Sequence, residues 1–222
     1  MIQSLRQTAI IALGVLLLGG VPLGCASARI ALAERFGYEK REQLVDSVEE
    51  ARDEQEEAKE QFATALEAFT AVTGYEGGNL ESIYERLDRE HRRSESRAKA
   101  VRERIDSVER VGNALFTEWE RELDQYTNVS LRSASEQQLV ETRGRYTELV
   151  GAMRRAASKM DPVLAALNDQ VLFLKHNLNA RAVASLEGNL AVLESDVAQL
   201  IAEMEASIAE ADAFISELTA SG

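Results

Sequence analysis

Four heptad-like seams run through this chain, the third with one extra step of four near its end, and they constrain its fold more than any other feature. Leu44, Val48, Ala51, Gln55, Ala58, Phe62, Ala65, Phe69 and Val72 follow one another at alternating steps of four and three, with a single polar member. A second seam runs Leu80, Tyr84, Leu87, His91, Ser94, Ala98, Val101, Ile105, Val108, Gly112, Leu115 and Trp119. The third runs Leu139, Thr142, Tyr146, Leu149, Met153, Ala156, Met160, Val163, Leu167, Val171, Leu174 and Leu178, and the fourth Val183, Leu186, Leu190, Leu193, Val197, Leu200, Met204, Ile208, Ala211, Ile215 and Leu218. A 3.5-residue repeat keeps one stripe of a helix facing its partners and imposes a left-handed supercoil. Only two prolines occur, Pro22 and Pro162, and β-branched or aromatic runs are scarce. The expected class is therefore all-α, an elongated antiparallel bundle of four long helices, each reaching roughly 50 to 70 Å at about 1.5 Å per residue.

The seams are separated by punctuation. Thr73-Gly74-Tyr75-Glu76-Gly77-Gly78 is costly inside a helix, and Asn79 is placed to cap the helix that follows. The second break, Thr127 to Ser135, ends in two overlapping capping boxes, Ser133 with Glu136 and Ser135 with Gln138. Trp119 and Tyr126, beside it, are expected to pack the bundle end. The third break is His176-Asn177-Leu178-Asn179, where asparagine suits the left-handed cap and Lys175 and His176 meet the negative end of a helix dipole. Asp161-Pro162 has the form of an N-cap and first-turn pair inside the third seam, but the seam holds its phase across it, so a kink or short break is expected there.

The first 25 residues carry an address. Arg6 supplies a positive n-region, Ala9 to Val21 an apolar run too short to span a hydrocarbon core that needs about 20 residues, and Gly24-Cys25 the end of a lipobox. Cys25 is the chain's one cysteine, so no internal disulfide staples the domain, and its thiol is the expected site of lipidation. Ala26-Ser27-Ala28 offers a competing A-x-A cleavage site that would release a soluble periplasmic protein, and an uncleaved anchor is the third alternative. The expected organisation is residues 1–24 as signal peptide, 25–39 as a lipidated terminus with a short amphipathic helix over Ala26 to Phe36, and 40–222 as one bundle domain. Ala26 following the cysteine, under the sorting rule of Gram-negative lipoproteins, implies an outer-membrane destination facing the periplasm.

Charge narrows the partners. The chain has a formal charge of −13, and removal of residues 1–24 deletes only Arg6, which leaves the remainder more acidic. Phosphate repulsion argues against nucleic acid. Arg92, Arg93, Arg97 and Lys99 form a possible basic patch that extends to Arg102 and Arg104, and Arg143, Arg145, Arg154, Arg155 and Lys159 form a second cluster. Glu90, Glu95, Glu103, Asp106, Glu141 and Glu148 are interleaved with them, as expected of solvated faces laced by ion pairs; contact with anionic headgroups is the alternative. No nucleophile elbow, phosphate-binding glycine loop or H-E-x-x-H occurs, so no catalytic residue is assigned. Asp88 and His91, one turn apart, are the best metal candidate, but a di-iron bundle needs a second carboxylate-x-x-His element, and Phe173 stands three residues before His176. A core or half-buried histidine hydrogen-bonded to an acid is the expected role of His91; no metal or cofactor is expected.

Residues Leu44 to Phe62 (LVDSVEEARDEQEEAKEQF) and Ser135 to Leu186, with Met160-Asp161-Pro162-Val163-Leu164, Asp169-Gln170-Val171-Leu172 and Leu174-Lys175-His176-Asn177-Leu178-Asn179-Ala180, resemble a bacterial envelope family known as domain of unknown function 2959. The resemblance implies a small exported protein, often with a lipobox, and no known activity. Lys175, His176, Asn177 and Asn179 form its most specific run, an interaction or turn motif. The functional expectation is a noncatalytic envelope lipoprotein, held to the membrane through its lipid and acting as a periplasmic scaffold or adaptor for a protein partner. A lipid-contacting or membrane-shaping rod and a soluble periplasmic protein are the alternatives, and self-association through heptad surfaces is compatible with each.

Overall fold

The computed structural model describes residues 40–73, 79–177 and 179–220. They form four helices: α1 (Lys40–Thr73), α2 (Leu80–Leu123), α3 (Val129–His176) and α4 (Ala180–Ala220). α1 packs on α2 and α4, and α3 packs on the same two, so the four close into a ring around one core. Neighbours run antiparallel. Glu50 and Glu57 of α1 meet Arg104 and Arg97 of α2, so the residue number falls on one helix as it rises on the other. Arg52 and Lys59 descend against Asp212 and Glu205 of α4 in the same way. With 48 residues in α3, the rod is about 70 Å long.

The expected seams form the core. Every member of the first is buried, from Leu44 to Val72, Gln55 included. In the second, Leu87 through Gly112 is buried, but toward the helix end Phe116 and Leu123 turn inward while Leu115 and Trp119 are half-buried. The fourth seam is corrected similarly: Ser207 and Phe214 are buried where Ile208 and Ile215 are only half-buried. A straight helix drifts by roughly 20° per heptad against a strict 3.5 repeat, which lets the inward stripe slip by one residue near the ends of long helices.

Helix boundaries follow capping chemistry. Asn79 caps α2, its side chain accepting from the Glu81 N–H at 3.0 Å. α3 starts earlier than the capping boxes suggest: Asn128 is the N-cap and its side chain accepts from the N–H groups of Ser130 and Leu131 at 2.9 and 3.2 Å. Ser135 is instead a mid-helix acceptor for Trp119 Nε1 at 2.8 Å. α3 runs through Pro162 as continuous helix, and Asp161, far from capping a break, pairs with Arg102 of α2 at 2.5 Å. Packing of both flanks, Met160 and Val163, outweighs the backbone bond that proline removes. At the C-terminus of α3, Asn177 has φ −135°, outside the left-handed region. It closes the helix by donating its backbone N–H to the Leu174 carbonyl at 3.1 Å and its side-chain amide to that of Phe173 at 2.9 Å.

Candidate functional site

Cys25, the Ala26 to Phe36 stretch and Leu178 lie outside the described residues. Among the rest, the chemistry-bearing side chains fall into a polar layer inside the bundle, an ion-paired outer face, an aromatic collar and an exposed hairpin tip.

The polar layer belongs to α1 and α2. Glu90 is 7% exposed, and its carboxylate accepts from Gln61 Nε2 at 3.0 Å and from Arg93 Nη1 at 3.1 Å. Ser94, fully buried, donates to the Glu90 backbone carbonyl at 2.9 Å. His91 is also buried, with Nδ1 3.8 Å from Glu95 one turn on. Asp88 is committed to Arg92 at 2.6 Å, so the two halves of the Asp88-x-x-His91 element face different partners. His91 borders a cavity of about 10 Å³ lined also by Ala65, Phe69, Leu87, Leu167 and Val171. That volume holds about one water molecule. Among the described residues, no three His, Cys, Asp or Glu side chains converge as metal ligands would. A second buried polar contact joins α1 to α4, where Ser207 Oγ donates to Gln55 Oε1 at 2.9 Å.

The basic patch is spent on carboxylates. Arg92 pairs with Asp88, Arg93 with Glu90, Lys99 with Glu103 at 3.7 Å, and Arg97 bridges Glu54 and Glu57 of α1 at 3.0 and 2.5 Å. The pattern goes beyond the i to i+4 lacing legible in one helix, because Arg97, Arg102 and Arg104 each cross to another helix. In the second cluster, Arg143 meets Glu120 at 2.7 Å and Arg154 grips Glu109 with two nitrogens. Hydrogen bonding to Glu109 raises the pKa of Arg154, and Asp53 followed by Asp212 does the same for Arg52. Positive charge on the first face, and at Arg143, Arg145 and Arg154 on the second, is thus locally neutralised.

The collar was not legible in the seams. Phe116 stands edge-on to Tyr146 with ring centroids 5.1 Å apart, Phe214 lies 6.5 Å from Tyr146, and the Arg143 guanidinium sits 5.0 Å above the Phe116 ring. Burial, with the Glu109 charge as a second cause, pushes the Tyr146 phenol up to about 12. The ring fits because position 112 is glycine: a Cβ there would stand 2.4 Å from the Tyr146 ring edge.

Beyond the collar, α2 and α3 continue as a hairpin. Lys40, the first residue of α1, pairs with Glu118 at 2.6 Å, so the remainder of α2 has no α1 beside it among the described residues. Every residue from Asp124 to Ala134 is exposed. Trp119 packs as expected, whereas Tyr126 is 42% exposed and shares the tip with Val129 and Leu131, 81% and 58% exposed. At the opposite end Lys175 and His176 are exposed in the last turn of α3, followed by the capping Asn177 and by Asn179, whose N–H donates to the Asn177 carbonyl at 2.8 Å. No described helix is long and apolar enough to cross a membrane.

No curated protein and no solved structure gives a match to the chain. A family described as protein of unknown function (DUF2959) matches residues 30–218, a span that takes in all four helices almost entirely. The chain therefore belongs to the DUF2959 family, in agreement with the resemblance carried by its first and third seams.

Proposed function

We propose that this protein is a noncatalytic cell-envelope lipoprotein whose bundle serves as a periplasmic scaffold or adaptor, tethered to the outer membrane through Cys25. The observation that supports this reading is where the reactive side chains go. Glu90, His91, Gln55 and Ser207 join helices or fill the core, and the basic residues of the first cluster, with Arg143, Arg145 and Arg154 of the second, bind carboxylates of the same chain. What remains is a stiff rod about 70 Å long in α3, with long solvated faces suited to holding a protein partner away from the surface that carries it.

Intact mass spectrometry of the full chain extracted from bacterial membranes, beside a Cys25→Ala variant, tests the tether. Acyl mass on Cys25 that the variant lacks, with the variant released from the membrane fraction, is the expected result. A mature terminus at Arg29 without lipid would replace the tethered reading by a soluble periplasmic one. Site-directed crosslinking along α1 and α4 tests the scaffold role: one defined envelope protein captured along a continuous helix face supports it, and equal labelling at every position refutes it.

A further inference from the structure

We propose that the tip of the α2–α3 hairpin is a bilayer-contact surface, seated by its apolar side chains in the interfacial zone of the membrane that carries the chain. The inference rests on the membrane attachment proposed above and adds a second, noncovalent point of contact. Its first support is geometry. From Glu118, where α1 begins alongside, to its last residue Leu123, α2 advances about 7.5 Å along the axis, and the turn that carries Tyr126 follows it, so the tip overhangs the four-helix body. Residues 1–39 join the bundle at that same end, and 14 residues separate Cys25 from Lys40. A lipid on Cys25 would hold the tip close to the bilayer surface, turning a weak apolar contact into an intramolecular one.

The second support is chemistry. Gln125 to Leu131 carries no charge, in a chain of which 28% of residues are charged. Tyr126, Val129 and Leu131 are exposed together there, and an aromatic ring with a polar edge beside aliphatic side chains suits the boundary between headgroups and acyl chains. Asn128 satisfies the N–H groups of Ser130 and Leu131, which lowers the cost of moving the turn into a less polar medium. Charge is not the attraction: Glu118, Glu120, Glu122 and Asp124 outnumber Arg121 and Arg132 beside the tip, Arg132 pairs with Asp124 at 3.4 Å, and the basic stretch of α2 is paired with carboxylates. The contact is therefore with neutral lipid as readily as with anionic lipid, and insensitive to salt.

The test uses the full lipidated chain and its Tyr126→Trp variant, reconstituted with phosphatidylcholine vesicles whose acyl chains are either plain or brominated. Tyr126 is exposed, so the substitution leaves the core intact. The expected result is that brominated lipid removes most of the emission that Tyr126→Trp adds over the parent, whose Trp119 is half-buried on Ser135, and that high salt leaves this loss unchanged. Flotation of both proteins with the vesicles, without quenching of the added indole, overturns the tip contact while leaving the tether standing. The same absence of quenching with concentration-dependent self-association would assign the tip to a second copy and overturns the proposal equally. Failure to float at all refutes the attachment reading itself.

Discussion

Replacing Gly112 by alanine tests the aromatic collar most directly, because helix propensity and packing predict opposite signs. In a free helix the change stabilises by about 1 kcal/mol, since glycine loses more backbone entropy and alanine is the best helix former. Here the new Cβ would lie 2.4, 2.5 and 2.7 Å from the Cε2, Cζ and hydroxyl of Tyr146. The ring cannot swing away freely, because Phe116 stands edge-on to it and Phe214 closes another side. Overpacking of a filled core costs about 1 to 3 kcal/mol, so the net effect is a loss of roughly 0 to 2 kcal/mol. Gly144 and Gly188 are the internal controls: both are exposed helical positions with nothing within 4 Å of an added Cβ. There Gly→Ala should stabilise by about 0.5 to 1 kcal/mol. Urea unfolding followed by helical circular dichroism on all three variants measures the contrast, and Tyr146→Leu combined with Gly112→Ala should recover the propensity gain if the ring is the obstacle. A Gly112→Ala protein as stable as Gly144→Ala would refute the steric argument.

Other expectations follow from the same contacts. Ser207→Ala alone should cost about 1 to 3 kcal/mol by leaving the buried Gln55 oxygen without its donor, whereas Gln55→Leu with Ser207→Ala should be close to neutral; thermal melts of the single and double variants decide this. Asn128→Ala should cost about 1 kcal/mol and expose amides of the first turn of α3 to hydrogen exchange, and Ser133→Ala should leave both unchanged. Phe62→Ala, at a fully buried position of α1, should lose about 3 to 5 kcal/mol in a denaturant titration. Tyr146 titrates near 12 when folded against about 10 when unfolded, so folding favours its neutral phenol. That contribution is intact below about pH 10 and is lost as pH rises toward 12. Ultraviolet difference titration should show a late-ionising component that Tyr146→Phe removes, and an alkaline profile identical in that variant would show the cause to lie elsewhere.

The four-helix architecture was available from one chain because it rests on local periodicity, and the family because particular runs such as Leu174 to Ala180 resemble it. Residues spaced four and three apart must share a helix face, and short breaks must return the chain antiparallel, whatever the partner. Asn79 as a cap belongs to the same class of local inference. What the sequence could not decide were choices between neighbours of nearly equal local fitness. Phe116 rather than Leu115, and Ser207 and Phe214 rather than Ile208 and Ile215, face inward because the partner helices offer Tyr146 and Gln55 at those levels. Asn128 prevailed over Ser133 as a cap because α3 pairs with the end of α2 before the seam begins, and α3 continues through Pro162 because packing on both sides holds it. The basic stretch looked like a patch in one dimension, yet its fate depended on the register that set Glu54, Glu57 and Asp161 opposite Arg97 and Arg102. Helix faces and the return of the chain belong to the sequence by itself, since they depend on spacing along one helix, and the family belongs to it through its residue runs; interior phase, charge pairing and the overhanging tip were decided by tertiary structure, since they depend on which side chains a neighbouring helix places at the same height.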